Sequence, residues 1–454
     1  MQVITQVFFD NRRYAFCREI PQGGYAVVGR LCGTSCTGEL YLDGEILASH
    51  TRESEEHIKR TLMLALFYAL KGAIGKQVPW GALTGVRPAK QVRIWMDEGE
   101  SVAQIRDRLS RVYDCRDDKI SLAIAVAQAE EKLVAQQNPG VGLYIGVPFC
   151  PSRCLYCSFV VAQKAGPDAH RRYLAALAEE CDRISTQFSM ENVNTIYIGG
   201  GTPTAFSEDD LEYLLKIVDP FVNNQEYTVE AGRPDSITRG KLALLKAHGV
   251  TRIAINPQTL NEATLERIGR THSVGDFFYA YEMAREAGFD NINVDVIAGL
   301  PGEGPEDMKN TMDGLKKLAP EHITVHTLAL KRASRLNEDR PAATADFYML
   351  ESMLDIARET CEELGLAPYY LYRQKHMAGN LENVGYCLPG MACLYNVAMM
   401  AETQTVLGAG AGAVTKVVKG TREGNREGTR IERRFNPKDV ETYIGRCGST
   451  GQKF

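Results

Sequence analysis

Cys150-Pro-Ser-Arg-Cys154-Leu-Tyr-Cys157 packs three cysteines into eight residues, spaced C-x3-C-x2-C. A disulfide takes two of them and leaves one over. A tetrahedral zinc site wants four N or S ligands. Three thiolates on one tight loop suit a cubane iron–sulfur cluster with one iron free of protein ligands. The plainer alternative is three ordinary cysteines in an irregular loop, and soft thiolates also select zinc or copper. Just upstream, Leu143-Tyr-Ile-Gly-Val147 reads as a short buried strand that Pro148 ends. The cysteines therefore fall past the C-terminal end of a strand, where α/β proteins place their chemistry.

From residue 141 onward, strand and helix alternate. Strands are expected at Leu143–Val147, Thr195–Ile198, Tyr227–Glu230, Arg252–Ile255, Asn291–Val296 and His322–Leu328. Helices are expected between them at His170–Ile184, Glu208–Val218, Thr238–His248, Val274–Ala287 and Pro305–Leu318. Repeated β-α units imply a parallel sheet with right-handed crossovers. Six such units are two short of a closed eight-stranded barrel, so 141–330 reads as an open partial (β/α)6 barrel.

Upstream, Val3–Phe9, Tyr14–Ile20, Gly24–Leu31 and Glu39–Leu42 read as strands, with turns at Asp10-Asn11 and Asp43-Gly44. Glu53 to Ala73 reads as a helix, followed by the punctuated loop Pro79–Pro88 and helices at Ala89–Glu98, Val102–Val112 and Asp117–Gln137. Residues 1–137 thus form an N-terminal α+β domain of unassigned role, with a boundary at Asn138-Pro-Gly140. Residues 331–454 read as a C-terminal extension covering the open edge of the barrel and its substrate site. It holds a helix at Phe347–Leu364 and ends in a basic segment (Arg422, Arg426, Arg430, Arg433, Arg434) that reads as a solvated face or mobile tail.

Composition is that of an ordinary globular protein: 44% hydrophobic and 24% charged, with a net charge of −5. That balance argues against broad nucleic-acid binding. Thr61–Leu70 is too short to span a bilayer and reads as a buried helix. The N-terminus lacks a basic-then-apolar signal pattern, so the 12 cysteines are expected as reduced thiols in a cytoplasmic, monomeric protein. Cys32/Cys36 and Cys387/Cys393 lack a third ligand nearby and read as small buried hydrophobes.

Gly199-Gly-Gly-Thr-Pro203 directly follows the second barrel strand. Glycines there let backbone approach a ligand, and their N–H groups can bind a carboxylate, although a tight turn would use the same residues. Glu230 ends the third strand, Gln258 follows the fourth, Arg270 comes twelve residues later and Asp295 lies in the fifth. Singly, each could be a structural hydrogen-bonding group. Together, on one rim, they suit a ligand with hydroxyls, a carboxylate and an amine.

These features resemble a radical S-adenosylmethionine (SAM) enzyme, and within that superfamily the oxygen-independent coproporphyrinogen III oxidase (dehydrogenase) family, in its HemZ branch. Tyr144-Ile-Gly-Val-Pro-Phe-Cys150, Leu83-Thr-Gly-Val-Arg-Pro88 and Tyr369-Tyr-Leu-Tyr-Arg-Gln-Lys-His-Met-Ala-Gly-Asn380 carry the likeness. The resemblance implies a 4Fe-4S cluster on Cys150, Cys154 and Cys157, whose open iron holds SAM. Tyr144 and Tyr156 would contact SAM, and Gly200, Gly201 and Thr202 would meet its methionyl end. Glu230, Gln258, Arg270 and Asp295 would take its remaining polar groups, Arg270 the carboxylate and Asp295 the ribose. Ala329 and Val414 would lie against the adenine. An unidentified external donor supplies the electron that cleaves SAM, and a tetrapyrrole propionate loses hydrogen and CO2 to become a vinyl group, as in the conversion of coproporphyrinogen III to protoporphyrinogen IX in haem biosynthesis. The substrate's carboxylates need cationic partners, for which Arg87, Lys90 and Arg373 are candidates.

One position departs from the pattern. The well-studied coproporphyrinogen oxidases carry a fourth cysteine two residues after the third, where this chain has Phe159. The haem-chaperone branch also has an aromatic residue there. The resemblance therefore leaves three activities open: coproporphyrinogen III decarboxylation, radical chemistry on another tetrapyrrole, and haem binding without decarboxylation.

Overall fold

A computed structural model describes residues 2–9, 15–54, 57–76, 78–136, 140–159, 162–163, 165–188, 192–223, 226–329, 346–374, 377–423 and 426–447. The expected turn at Asp10-Asn11, the start of the Tyr14–Ile20 strand, the boundary at Asn138-Pro139 and the first residues of the C-terminal extension lie outside them. The chain forms two compact units. One comprises Met1–Gln128 with Leu371–Glu382, and the other Ala129–Tyr370 with Asn383–Phe454. The first boundary thus falls inside a helix instead of at residue 137, and twelve residues of the expected extension belong to the first unit.

In the first unit, α1 (Gln2–Phe8) stands where a strand was expected. Ile4, Val7 and Phe8 are its buried residues; their i, i+3, i+4 spacing is the helical face that a strand reading overlooks. Residues 15–20 are irregular. Strands β1 (Tyr25–Cys32), β2 (Ser35–Leu42) and β3 (Glu45–Glu53) form an antiparallel sheet. The third strand was missed because its one half-buried face is made of Ala48, His50 and Arg52, which gives no apolar alternation to mark a strand. Asp43 and Gly44, both at positive φ, turn β2 into β3 as the two-residue hairpin requires. Helix α2 (Ile58–Ile74) lies so close on β2 that a Cβ at Gly38 would meet the Leu66 amide nitrogen at 2.4 Å. Helices α3 (Pro88–Asp97), α4 (Val102–Arg111) and α5 (Asp117–Gln136) follow.

The second unit is built on strands and helices in alternation: β4 (Val141–Val147), two short strands β5 (Phe149–Cys150) and β6 (Ala162–Gln163), α6 (Pro167–Gln187), β7 (Val193–Gly200), α7 (Glu208–Val218), β8 (Glu226–Gly232) and α8 (Arg239–Ala247). Then come β9 (Arg252–Ile255), α9 (Glu262–Arg267), α10 (Val274–Glu286), β10 (Ile292–Ala298), α11 (Pro305–Leu318) and β11 (His322–Thr327). After α12 (Phe347–Glu363) come β12 (Ala367–Tyr372), β13 (Asn383–Cys387), α13 (Leu394–Ala401), β14 (Thr405–Ala409), β15 (Val414–Glu423), β16 (Arg426–Phe435) and α14 (Val440–Cys447). The main sheet runs β12-β13-β11-β10-β9-β8-β7-β4-β14-β15-β16 and does not close. Strands β4 and β7 to β11 pair in parallel, the six-strand arrangement expected of the partial barrel.

The C-terminal segment does more than cover that sheet. Strand β14 joins it in parallel beside β4, and β13 joins the other side antiparallel to β11. Gly408 lets β14 fold tightly back, since a Cβ there would meet the Val414 backbone at 2.8 Å. The basic end is likewise ordered: β16 pairs with β15 from Phe435 to Arg426, and Arg433 pairs with Glu402 at 2.8 Å. The side chains of Arg422 and Arg426 lie outside the described ones. No helix among the described residues is long and apolar enough to cross a membrane.

A buried ion pair fastens α13 to this sheet. Arg252 and Glu226 lie 3.1 Å apart with their side chains 5% and 8% exposed. The Glu226 carboxylate also accepts the backbone N–H groups of Leu394 (2.6 Å) and Tyr395 (3.0 Å) at the helix N-terminus. Removing one member of such a pair leaves a buried charge uncompensated. Glu226→Ala is expected to lower unfolding stability by about 3–5 kcal/mol in denaturant titration. Glu226→Gln, which keeps an acceptor, should cost less.

Candidate functional site

The site begins in the β4–β7 register. Gly146 lies opposite Gly199, and Val147 opposite Gly200. Beyond the last pair, the two chains stay bonded: Gly201 N–H donates to Val147 O at 2.6 Å, and Thr202 N–H to Phe149 O at 2.7 Å. A Cβ on Gly201 would stand 2.4 Å from Phe149 O, so this contact requires glycine. Gly200 has φ +107, a conformation that side chains rarely tolerate. The glycine run is therefore welded to the segment that carries the first cysteine.

Cys150 Sγ lies 3.4 Å from Thr202 Oγ1. Cys157 N–H donates to Cys154 O at 3.1 Å, and Leu155 N–H to Ile268 O at 2.9 Å, which ties the loop to the end of α9. Among the described residues, no three His, Cys, Asp or Glu side chains gather as around a single metal ion. A cubane cluster instead gives each thiolate its own iron. Burial pushes the Cys150 thiol up to about 11, partly offset by Thr202, and raises Cys157 as well. Bound iron would reverse that preference.

A clamp that the sequence reading missed holds this loop. The buried Arg233 donates to Ser152 Oγ at 2.6 Å, to Thr271 Oγ1 at 2.6 Å and through two nitrogens to Asp235 at 3.0 and 2.8 Å. Its only sequence signal is an arginine in Glu230-Ala-Gly-Arg-Pro234, just past a barrel strand.

The polar set lies along the same strand ends. Glu230 accepts Tyr197 Oη–H at 2.5 Å and Gly200 N–H at 3.3 Å. Burial, reinforced by the Asp295 charge, pushes its carboxyl up to about 7 against these hydrogen bonds. Asp295 is equally enclosed, yet His326 and hydrogen bonds from Asn293 and Thr324 outweigh burial and hold its carboxyl below the usual range. Gln258 adopts φ +73 and donates its N–H to Asp295 O at 3.1 Å, bridging β9's continuation to β10. Arg270 donates to Asn256 O at 2.7 Å and to Tyr156 Oη at 3.1 Å, while its Nε is buried without a hydrogen-bond partner. Two residues on, burial and the Arg270 charge push His272 down to about 4, so it is neutral.

Aromatic and apolar residues complete the site. Tyr144 lies beside the stacked pair Tyr197 and Tyr395, its ring centroid 6.2 and 6.1 Å from theirs. Tyr156 packs on Ile268, Ile297, Leu300 and Leu328. Ala329 follows Leu328, whose N–H is bonded to Ala298 O at the end of β10. Val414 opens β15 against Gly408, which lies opposite Tyr144 in the sheet. All the expected barrel-site residues belong to the second unit, with Gly200 at the end of β7 and Tyr144, Glu230 and Asp295 within β4, β8 and β10. Arg373 does not: it is buried in the first unit and bound to the Leu83 and Asn380 carbonyls. Arg87 and Lys90 also belong to that unit.

The donor set suits the cofactors the sequence suggested: three thiols on one loop, a glycine-only backbone approach, and a buried arginine nitrogen with an open valence. Residues 144–315 match the model of the radical SAM superfamily. The chain is 38% identical to the oxygen-independent coproporphyrinogen-III oxidase-like protein HemZ of Bacillus subtilis, over 98% of this chain and 92% of that protein. It is 37% identical to the heme chaperone HemW of the same organism, over 41% of this chain and half of that protein. Among solved structures, the Escherichia coli coproporphyrinogen III oxidase HemN, a radical SAM enzyme, shares the fold with a TM-score of 0.54 at 21% identity, over 71% of this chain and 72% of that one. Proteins of this superfamily use a 4Fe-4S cluster and SAM. With a near full-length relative at this identity, the chain belongs to the HemZ family of coproporphyrinogen oxidase-like proteins within the radical SAM superfamily.

Proposed function

We propose that the protein is an oxidative decarboxylase that converts tetrapyrrole propionates to vinyl groups, with coproporphyrinogen III as substrate and protoporphyrinogen IX as product. The observation that carries this reading is the likeness to HemZ along nearly the whole chain. Cys150, Cys154 and Cys157 would hold the cluster. When bound, the cluster and SAM supply one-electron cleavage of a C–S bond and hence hydrogen abstraction. On the substrate side, each propionate gives up one hydrogen atom, one CO2 and one electron to become a vinyl group. The reaction therefore needs an external electron donor and an electron acceptor.

The chain's own residues bind, orient and shield. Arg233 holds Ser152 and so fixes the cysteine loop. The Gly200–Thr202 turn offers backbone N–H groups to the amino-acid end of SAM. Arg270 has an unused buried nitrogen for a carboxylate. Asp295 is kept ionised and suits hydroxyl groups. Burial and the Asp295 charge raise the Glu230 carboxyl to about 7, and it would ionise beside a ligand cation. The half-buried rings of Tyr144, Tyr156 and Tyr197 would shield part of the bound cofactor from water.

A second reading, haem binding without decarboxylation, is favoured by one observation. Phe159 stands where the oxidases have a fourth cysteine, and its side chain is 60% exposed.

Three experiments follow. Under anaerobic conditions with SAM, a strong reductant and coproporphyrinogen III, mass spectrometry is expected to find the loss of two CO2 per porphyrinogen with matching 5′-deoxyadenosine. Deoxyadenosine without decarboxylated product would point to another tetrapyrrole, and haem binding with neither product to the second reading. Cys154→Ala should lose both the brown cluster absorbance and SAM cleavage, whereas Cys361→Ala, at a thiol buried in α12, should keep both. In cluster-free protein, Glu230 favours the fold in its neutral form. Its contribution is complete below the unfolded pKa near 4.5 and is lost as pH rises through about 7. Glu230→Gln should therefore be more stable than wild type by about 2–3 kcal/mol at pH 8 and equal to it at pH 4, as read by urea titration.

A further inference from the structure

The first unit carries a cleft of its own, about 410 Å³ in volume. This is within the range of small-molecule sites. Its wall is the segment Leu83-Thr-Gly-Val-Arg-Pro88, which the barrel chemistry does not use. Three basic side chains, Arg60, Arg87 and Lys90, line it, and no acidic residue does among the described ones. Its floor is apolar, with Met63 and Leu64 from α2, Ile94 from α3 and the Tyr113 ring.

The wall is held in shape from behind. Arg373 N–H donates to Val86 O at 2.7 Å, and its guanidinium bonds to Leu83 O and, at 3.0 Å, to Asn380 O. Its guanidinium carbon also lies 5.5 Å from the Trp80 ring centre. Trp80 Nε1–H and Lys119 Nζ in turn donate to Glu382 at 2.7 and 2.6 Å. Arg373 thus holds two carbonyls of the loop, Leu83 O and Val86 O, and shapes the wall, although its Nε has no hydrogen-bond partner. The first turn of α3 adds to the cleft: Pro88, Lys90 and Gln91 line it, and that turn is the positive end of the helix dipole.

An apolar floor rimmed by cations and a helix N-terminus matches one kind of molecule: a flat or extended apolar body edged with carboxylates. We propose that this cleft binds the propionate edge of a tetrapyrrole, with Arg87 and Lys90 taking the carboxylates and the α2–α3 floor taking the ring edge. The choice of tetrapyrrole rests on the function proposed above. A volume of 410 Å³ suits an edge better than a whole macrocycle. Coproporphyrin and haem share the recognised chemistry, carboxylates on a porphyrin, and differ in the number of propionates.

The test uses the full-length protein without cluster or SAM, titrated with coproporphyrin III and followed by porphyrin absorbance and fluorescence. Coproporphyrin III should bind, its tetramethyl ester should not, and added salt should weaken the complex. The double variant Arg87→Gln/Lys90→Gln should lose about tenfold or more in affinity while its melting curve stays that of wild type. Haemin, tested in parallel, should lose a similar factor in the same variant if two propionates suffice; if it does not bind the wild type, a site for the four-propionate porphyrin is indicated. Wild-type coproporphyrin affinity in the double variant, equal binding of the ester, or no coproporphyrin binding at all would overturn the proposal. Cys361→Ala, at a thiol buried in α12, should keep the wild-type affinity. Failed porphyrin binding with intact decarboxylation would thus sink this site alone, whereas intact binding without turnover would sink only the proposed reaction.

Discussion

The barrel site depends on the close approach of two backbones. Past the end of the β4–β7 ladder, Gly201 and Thr202 donate to the carbonyls of Val147 and Phe149. This contact places a glycine turn against the first cysteine with no side chain between. A one-residue slip between β4 and β7 would reverse the faces of both strands and move the cysteine loop away from Thr202. Buried apolar positions along β4 (Leu143, Ile145, Val147) and β7 (Ile196, Ile198) hold the register against that slip.

Around this contact, buried charges are treated in two ways. Arg252 is spent on Glu226 and the Met391 and Ala392 carbonyls, and Arg233 on Asp235, Ser152 and Thr271. Such groups are compensated and serve as fasteners. Arg270 and Glu230 are not fully compensated: one has an unbonded buried nitrogen, and the other has its carboxyl displaced toward neutrality. Leaving a buried group short of partners costs stability. Groups of that kind suit a site completed by a ligand, and Glu230 accepts the Gly200 N–H of the glycine turn.

In the first unit, Arg373 binds the Leu83 carbonyl and Lys119 the Glu382 carboxylate, while Arg87 and Lys90 line a cleft.

The alternation of strand and helix from residue 141, the cysteine spacing and the polar residues at strand ends were legible in the chain. Each depends on local periodicity or on a motif a few residues long. Helix α1 and strand β3 were not, because Val3–Phe9 fits two periods and the half-buried face of Glu45–Glu53 is Ala48, His50 and Arg52. The strand beside β4 was hidden as well: Thr405–Ala409 is a short stretch that leads into alternating glycines, and only pairing with residues more than 250 positions earlier makes it a strand. In the site, sequence alone named the cysteines and the polar set. Tertiary structure decided that Arg233 grips the cysteine loop, that Arg373 faces carbonyls, and that Glu230 and Asp295 hold opposite protonation tendencies. Hydrogen bonds and desolvation of this kind arise between residues distant in the chain, so no short stretch of sequence encodes them.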